Sequence, residues 1–175
     1  EKFAQHTLKG LNLPITCTQL ATSLHVVGSE NFTVALTRSF SRLNGLLVTL
    51  HNGGEASVKA FNNFYHKAGS AAAITKANDS ITLSIQLGAK RMPEYPISSV
   101  SEFMYHLQNL LGILHGESSV NISGRQYHDH SFLMGYNMEK LSGTGAEYSG
   151  LSSKDNLLTL DFKGATSATQ CYVTL

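Results

Sequence analysis

A strict alternation of apolar and polar residues is the feature that most constrains this chain. Over positions 80–87, four aliphatic residues alternate with four polar ones: Ile81, Leu83, Ile85 and Leu87 against Ser80, Thr82, Ser84 and Gln86. Successive side chains of a strand point to opposite faces, so this segment has one apolar and one polar face. The alternation predicts a strand that is buried on one side and open to solvent on the other.

The same period recurs in seven other segments of the chain. They are Leu13–Thr18, Thr22–Val27, Asn31–Leu36, Leu46–His51, Ser131–Asn137, Asn156–Phe162 and Thr169–Leu175. In Leu46–His51 the face opposite Leu46 also holds Leu47, so we expect both faces of this strand to be covered. Eight short strands separated by turn residues predict an all-β fold, an antiparallel eight-stranded jelly-roll sandwich, in one domain over residues 1–175.

One segment, about residues 99–114, has helical instead of alternating spacing. Its apolar residues are Val100, Phe103, Met104, Leu107, Leu110, Leu111 and Leu114. Ser99 followed by Glu102 has the spacing of a capping box, and Gly112 weakens the other end. The pattern predicts one inserted amphipathic helix whose apolar stripe packs on a sheet as part of the core.

The charge of the chain argues against two classes of partner. The formal net charge is +1, and 14% of the residues are charged, against roughly 25% in ordinary soluble domains. Lys and Arg are scattered, so no basic stripe for specific nucleic-acid binding is present. No run of about 18 apolar residues occurs, so we expect no membrane insertion.

The two cysteines and the chain ends support two further expectations. Cys17 and Cys171 are too few and too far apart in sequence for a disulfide framework, and two buried or half-buried thiols are expected. Glu1 is not an initiator Met, and Thr169–Leu175 alternates up to the last residue. We therefore expect a fragment of a longer chain.

No group of residues forms a recognisable catalytic or metal-binding motif. His128 and His130 have the spacing of a cupin metal pair, but the next acidic residue, Glu139, lies too far on, and no His follows His130 to supply a third ligand. Gly143 and Gly145 lack the lysine of a phosphate loop. No spacing brings Asp129, Glu139 and Glu147 together. We therefore expect no catalytic residue, no metal, no cofactor and no small-molecule substrate.

The long connection between His51 and Asp79 is the strongest candidate for a functional loop. It contains an aromatic cluster, Phe61, Phe64 and Tyr65, followed by the small-residue run Ala68–Ala73. Loops of this length are usually functional or disordered. The aromatic residues either anchor the base of a mobile tip or fill a groove on an adjacent subunit, and the sequence leaves both open.

Several segments, in their order along the chain, resemble the major capsid proteins of double-jelly-roll DNA viruses. Ser39–Leu43 leads into a hydrophobic strand, and Arg91–Ile97 leads into the predicted helix. With Phe132–Lys140 and Tyr148–Leu160, these segments are similar to the C-terminal jelly roll of Polinton-type and related large DNA virus capsid proteins. The resemblance covers about two thirds of the chain.

This resemblance implies a structural protein of the virion capsid, assembled inside the host cell, and not an enzyme. In that family two jelly rolls stand side by side, and three copies form a pseudo-hexagonal capsomer that tiles an icosahedral shell. A chain of 175 residues supplies about one jelly roll. It is therefore a fragment, which we favour, or a diverged single-roll relative, or a chance likeness.

The expected partners are two further copies in a homotrimer, and neighbouring capsomers. Assembly interfaces are apolar at their centre, so exposed aromatic residues are the candidate contacts. They are Phe61, Phe64, Tyr65 and Tyr127. The alternative is a β-sandwich carbohydrate-binding module, which the Tyr and Asn residues of the loops permit, although the chain has no Trp to stack on a sugar ring.

Overall fold

The computed structural model describes residues 20–51, 81–112, 123–124, 127, 132–139, 150–165 and 170–175. Within these ranges eight strands and the helix α1 are seen. Their bounds are β1 Thr22–Val26, β2 Phe32–Leu36, β3 Gly45–His51, β4 Thr82–Leu87, β5 Lys90–Arg91, α1 Val100–Leu110, β6 Met134–Asn137, β7 Leu158–Lys163 and β8 Gln170–Thr174.

The strands form two antiparallel four-stranded sheets. Sheet A has the order β1-β8-β3-β6, and sheet B has the order β2-β7-β4-β5. The first strand pairs with the last, β2 with β7, β3 with β6, and β4 with β5. The chain is thus one long hairpin that is rolled up until its pairs fall alternately in two sheets. Such a rolled hairpin is a jelly roll, so the predicted fold class is confirmed.

Seven of the eight predicted strands are present, with ends shifted by a few residues at most. The remaining one, Leu13–Thr18, lies outside the described residues. Strand β5 was not predicted, because two residues are too few to show an alternation. It forms because Gly88, with φ +59°, turns the chain back after β4, and Gln86 and Leu87 then pair with Arg91 and Lys90.

The core lies between the two sheets. Their inner faces are aliphatic, and at one end the Phe32 and Phe162 rings stack with centroids 4.7 Å apart. The buried inner residues of the strands include Val34, Leu36, Leu46, Val48, Leu50, Leu83, Ile85, Leu158, Leu160, Phe162, Cys171 and Val173. Cys171 is a free thiol, as predicted, whereas Cys17 lies outside the described residues.

Helix α1 begins at the predicted cap. The Ser99 hydroxyl accepts a hydrogen bond from the Glu102 N–H at 3.2 Å. The Glu102 carboxylate accepts one from the N–H of Ser98, one residue before the position of an ordinary capping box. The helix ends at Leu110, earlier than predicted, because Gly112 takes a left-handed conformation with φ +70°.

The helix packs along β6, the edge strand of sheet A, and its buried residues Phe103 and Leu107 belong to the core. A side chain on Gly135 of β6 or on Gly45 of β3 would meet Leu110, and one on Gly135 would also meet Leu107. These two glycines therefore allow the helix to approach the sheet closely. Since Leu47 lies on the same face as Gly135, strand β3 is covered on both sides at this end, as predicted.

Candidate subunit interface

Most residues that the sequence singled out fall outside the described residues. These are Phe61, Phe64 and Tyr65 in the long loop, the His128–His130 pair, and Gly143, Gly145, Asp129 and Glu147. The interface hypothesis for the three loop aromatics stays a prediction. Glu139 is described and half-buried, and it makes a bridge to Gly150.

Tyr127 corrects the expectation that its ring is an exposed interface aromatic. It is 0% exposed, and its ring packs against Phe132 with centroids 5.4 Å apart. Its hydroxyl donates a hydrogen bond to the Leu133 carbonyl at 2.8 Å, and burial raises its pKa far above the usual value. Tyr127 therefore stabilises the subunit from within and offers no ring to a neighbouring copy.

The two sheets differ sharply in charge. The strands of sheet A contain no Asp, Glu, Lys or Arg. All the charged strand residues, Lys90, Arg91, Asp161 and Lys163, belong to sheet B. The outer face of sheet B is an ordinary solvent face, where the Thr33 hydroxyl donates to Asp161 Oδ1 at 2.7 Å. The strands of sheet A therefore lack the charged residues that an ordinary solvent face carries.

Three large aliphatic side chains are exposed along one edge of sheet A. Leu24 and Val26 of β1 are 51% and 86% exposed, and Leu20, just before the strand, is 78% exposed. They are spaced by even numbers of residues, so they point the same way as Thr22. We call Leu20, Thr22, Leu24 and Val26 the β1 stripe. An exposed apolar stripe of this kind is typical of an interaction surface.

Next to the β1 stripe, the described residues of β8 and β3 on the same face of sheet A include no Asp, Glu, Lys or Arg. Tyr172 of β8 lies opposite Leu24 and also pairs with Thr49 of β3. The Tyr172 ring meets the His51 ring edge to face, with centroids 5.1 Å apart. Partial burial lowers the pKa of His51 and so disfavours its charged form. The described strand residues of this surface include no Asp, Glu, Lys or Arg.

The backbone N–H and C=O groups of the strand residues in the β1 stripe point away from β8, toward the free edge of sheet A. Ala21 and Leu175 exchange both N–H···O bonds, at 2.9 and 3.0 Å. Hydrogen-bonded and non-hydrogen-bonded pairs alternate along an antiparallel ladder. Ser23 and His25 therefore bond to β8, and the N–H and C=O groups of the stripe's strand residues, Thr22, Leu24 and Val26, face the free edge. No strand lies beyond β1 among the described residues.

Edges of this kind usually carry a protective feature. Lys, Pro, a bulge or a covering element normally prevents an edge strand from pairing with another chain. Strand β5, one of the two edges of sheet B, has Lys90 and Arg91 with Pro93 soon after. Strand β6, the other edge of sheet A, has α1 packed against it. Strand β1 contains neither a charged residue nor a proline. Among the described residues no strand pairs with its free edge, and its exposed face carries two large aliphatic side chains.

Comparison with known proteins assigns no family to the chain. No protein-family model matches it, and a search of curated proteins found no matching sequence. Within the described ranges, no helix is long and apolar enough to cross a membrane. In the same ranges, no three His, Cys, Asp or Glu residues are grouped as metal ligands.

Proposed function

We propose that this chain is a structural capsid subunit, a jelly roll that assembles with copies of itself into the shell of a DNA virus. In this proposal three copies form a pseudo-hexagonal capsomer, and capsomers tile an icosahedral shell. The observation that carries the proposal is the uncharged outer face of sheet A with its exposed β1 stripe. Its experimental test is whether the purified chain assembles.

The jelly roll by itself does not choose among functions. Viral capsid proteins, lectin domains and cupins all use this fold, and function depends on the surfaces that a fold presents. The rolled-hairpin order of the strands agrees with the resemblance to capsid proteins described from the sequence. It agrees equally with a β-sandwich that binds carbohydrate. The choice therefore depends on the chemistry of the faces.

The outer face of sheet A favours assembly. A solvent-facing sheet surface is normally polar and charged, as it is on sheet B, and the large exposed aliphatic side chains of the β1 stripe remain in water at a cost. The interiors of protein interfaces are depleted in charged residues and enriched in aromatic ones. Leu24, Val26 and Tyr172 meet that description.

The low charge of the chain also suits a shell. A subunit with a formal net charge of +1 can be packed beside many identical neighbours without strong mutual repulsion, whereas a large net charge opposes close packing. Closed assemblies are built from repeated symmetric contacts. The loop aromatics Phe61, Phe64 and Tyr65 remain the candidates for the contact within the trimer.

Electron microscopy of the purified chain at increasing protein concentration tests this proposal. We expect regular particles larger than a trimer for the wild-type chain, and fewer or none for Val26→Lys, which adds a charge to the β1 stripe without touching the core. Ala35→Lys is the matched control, because Ala35 is an exposed residue on β2, an edge strand of sheet B. It should assemble like the wild type.

A glycan array separates the proposal from its main alternative. A capsid subunit should show no specific retention on immobilised glycans. A chain that forms no particles at any concentration and binds glycans as a monomer would contradict the shell and identify a carbohydrate-binding module.

The double variant Phe61→Ser with Phe64→Ser should weaken trimers, and an unchanged trimer would remove the loop aromatics from the interface.

A further inference from the structure

We propose that β1 docks a second copy of this chain, by antiparallel pairing of the two β1 edges about a two-fold axis through Leu24. The inference rests on the proposed self-assembly and adds the surface, the register and the symmetry of one contact. The two sheets A then join into a single sheet of eight strands, which is within the usual size of open sheets.

The register follows from the direction of the backbone groups. Thr22, Leu24 and Val26 turn their N–H and C=O groups to the free edge, as the reciprocal Ala21–Leu175 bonds establish. With the axis at Leu24, each of these residues faces another whose groups also point across the gap: Leu24 faces Leu24, and Thr22 faces Val26. Every outward backbone group of the strand then has a partner.

The side chains are compatible in the same register. On the exposed face, Leu24 meets its own copy and Thr22 meets Val26, so aliphatic and β-branched residues come together. On the other face, Ser23 lies opposite His25. These two groups already form a hydrogen bond within one strand, Oγ to Nε2 at 3.1 Å, so hydroxyl and imidazole are complementary partners. No pair brings two like charges together.

The other described sheet edges are poorer places for a second copy. Self-pairing at β5 would bring Lys90 and Arg91 close to their own copies, and like charges opposite each other destabilise a strand pair. Strand β6 is covered by α1. Strand β2 exposes only Thr33 and Ala35, and the Thr33 hydroxyl already bonds to Asp161. Among the sheet edges that the structure describes, β1 alone combines a free edge with large exposed aliphatic side chains.

The contact has a natural place in a shell. A two-fold contact cannot join the three subunits of one trimer to each other, because every subunit has a single β1 edge. It can join one subunit to a subunit of a neighbouring trimer. Strand β1 would therefore link capsomers, while a different surface holds each trimer together.

Disulfide trapping at residue 24 tests the contact directly. Paired residues in a hydrogen-bonded position have Cα atoms about 5.5 Å apart, which suits a disulfide. All variants carry Cys17→Ser, and Cys171 stays, because it is buried and its thiol pKa is raised to about 12. Leu24→Cys should form reducible dimers under mild oxidation. Ala35→Cys, on the edge strand of sheet B, should not.

Leu24→Pro supplies a second, independent readout. The Leu24 N–H points away from β8, and proline is tolerated on an edge strand at such a position. The fold should be kept, as circular dichroism can verify. The pair of copies loses the hydrogen bonds that both Leu24 N–H groups would donate, so we expect the dissociation constant of the contact to rise about tenfold or more.

The outcomes separate this inference from the proposed function. Trapped dimers at residue 24 that never build larger particles would support the β1 contact and contradict the shell. Particles that persist in Leu24→Pro, with no disulfide at residue 24, would overturn the β1 contact and leave assembly to another surface. Equal trapping at residues 24 and 35 would also overturn it, and a wild-type chain that is always monomeric would remove both.

Discussion

Gly135 lies where helix α1 comes closest to sheet A, and replacing it with alanine tests how the helix is docked. A Cβ at this position would lie 2.8 Å from Leu107 Cδ1, 3.1 Å from Leu110 Cδ2 and 3.2 Å from Leu107 Cα. The last of these atoms belongs to the backbone, so it can move only if the helix moves. Leu107 is itself buried, so its side chain has no free space to enter.

The cost of Gly135→Ala is therefore that of overpacking a well-filled site, about 1–3 kcal/mol of the free energy of unfolding. Urea unfolding followed by circular dichroism measures it. Gly28→Ala is the matched control, because a Cβ at Gly28 meets nothing within 4 Å. It should be neutral or stabilise by about 0.4–1 kcal/mol, since alanine restricts the unfolded chain. If Gly135→Ala is as stable as Gly28→Ala, the helix does not lie on this face of the sheet.

Three further predictions concern the helix cap, the buried thiol of Cys171 and the half-buried imidazole of His106. Ser99→Ala should lower the free energy of unfolding by about 1 kcal/mol, measured in urea against Ser101→Ala on the exposed side of the helix, where no comparable loss is expected. Burial raises the pKa of the Cys171 thiol to about 12. In a Cys17→Ser chain, a thiol reagent at pH 8 should therefore label Cys171 only after denaturant is added. Rapid labelling of the folded chain would contradict the place of Cys171 in the core. Burial lowers the pKa of His106, and Glu102 offsets this in part, so the unfolded chain takes up the proton first as the pH falls below about 6.5. The free energy of unfolding should then fall between pH 7 and pH 5. It should fall less steeply with pH in the His106→Gln variant, and the same pH dependence in that variant as in the wild type would refute the lowered pKa of His106.

The fold was largely predictable because alternation is a direct consequence of strand geometry. Segment 80–87 and the helix at Val100–Leu110 carry strong periods, and both are found close to where the sequence places them. The pairing of β1 with β8 was not readable, because it joins opposite ends of the chain. Two-residue β5 left no periodic signal at all.

The orientation of β1 shows why the candidate interface was missed. Alternation separates the Leu24 and Val26 face from the Ser23 and His25 face, and apolar residues would ordinarily be placed inside. Residues opposite each other in a ladder share a face, and Cys171, buried in β8, lies opposite His25. The buried face of β8 therefore turns the polar face of β1 inward, and the aliphatic residues are left outside.

Tyr127 failed as an interface candidate for a related reason. A tyrosine has an apolar ring and a polar tip, which suits an interface and equally suits a core position with a hydrogen-bond partner. The deciding partner is the Leu133 carbonyl. That contact depends on the path of the chain between these residues, and no local pattern reports it. The charge difference between the sheets, in contrast, was present in the sequence but became visible only once each strand was assigned to a sheet.

The native mass of the purified wild-type chain, measured by light scattering over a wide concentration series, tests the central claim most directly. The chain has a mass of 18.9 kDa. The account predicts a mass that rises above this value with concentration, toward trimers and larger assemblies, and a lower mass for Val26→Lys than for Ala35→Lys at every concentration. A mass that stays at 18.9 kDa throughout the series would contradict it.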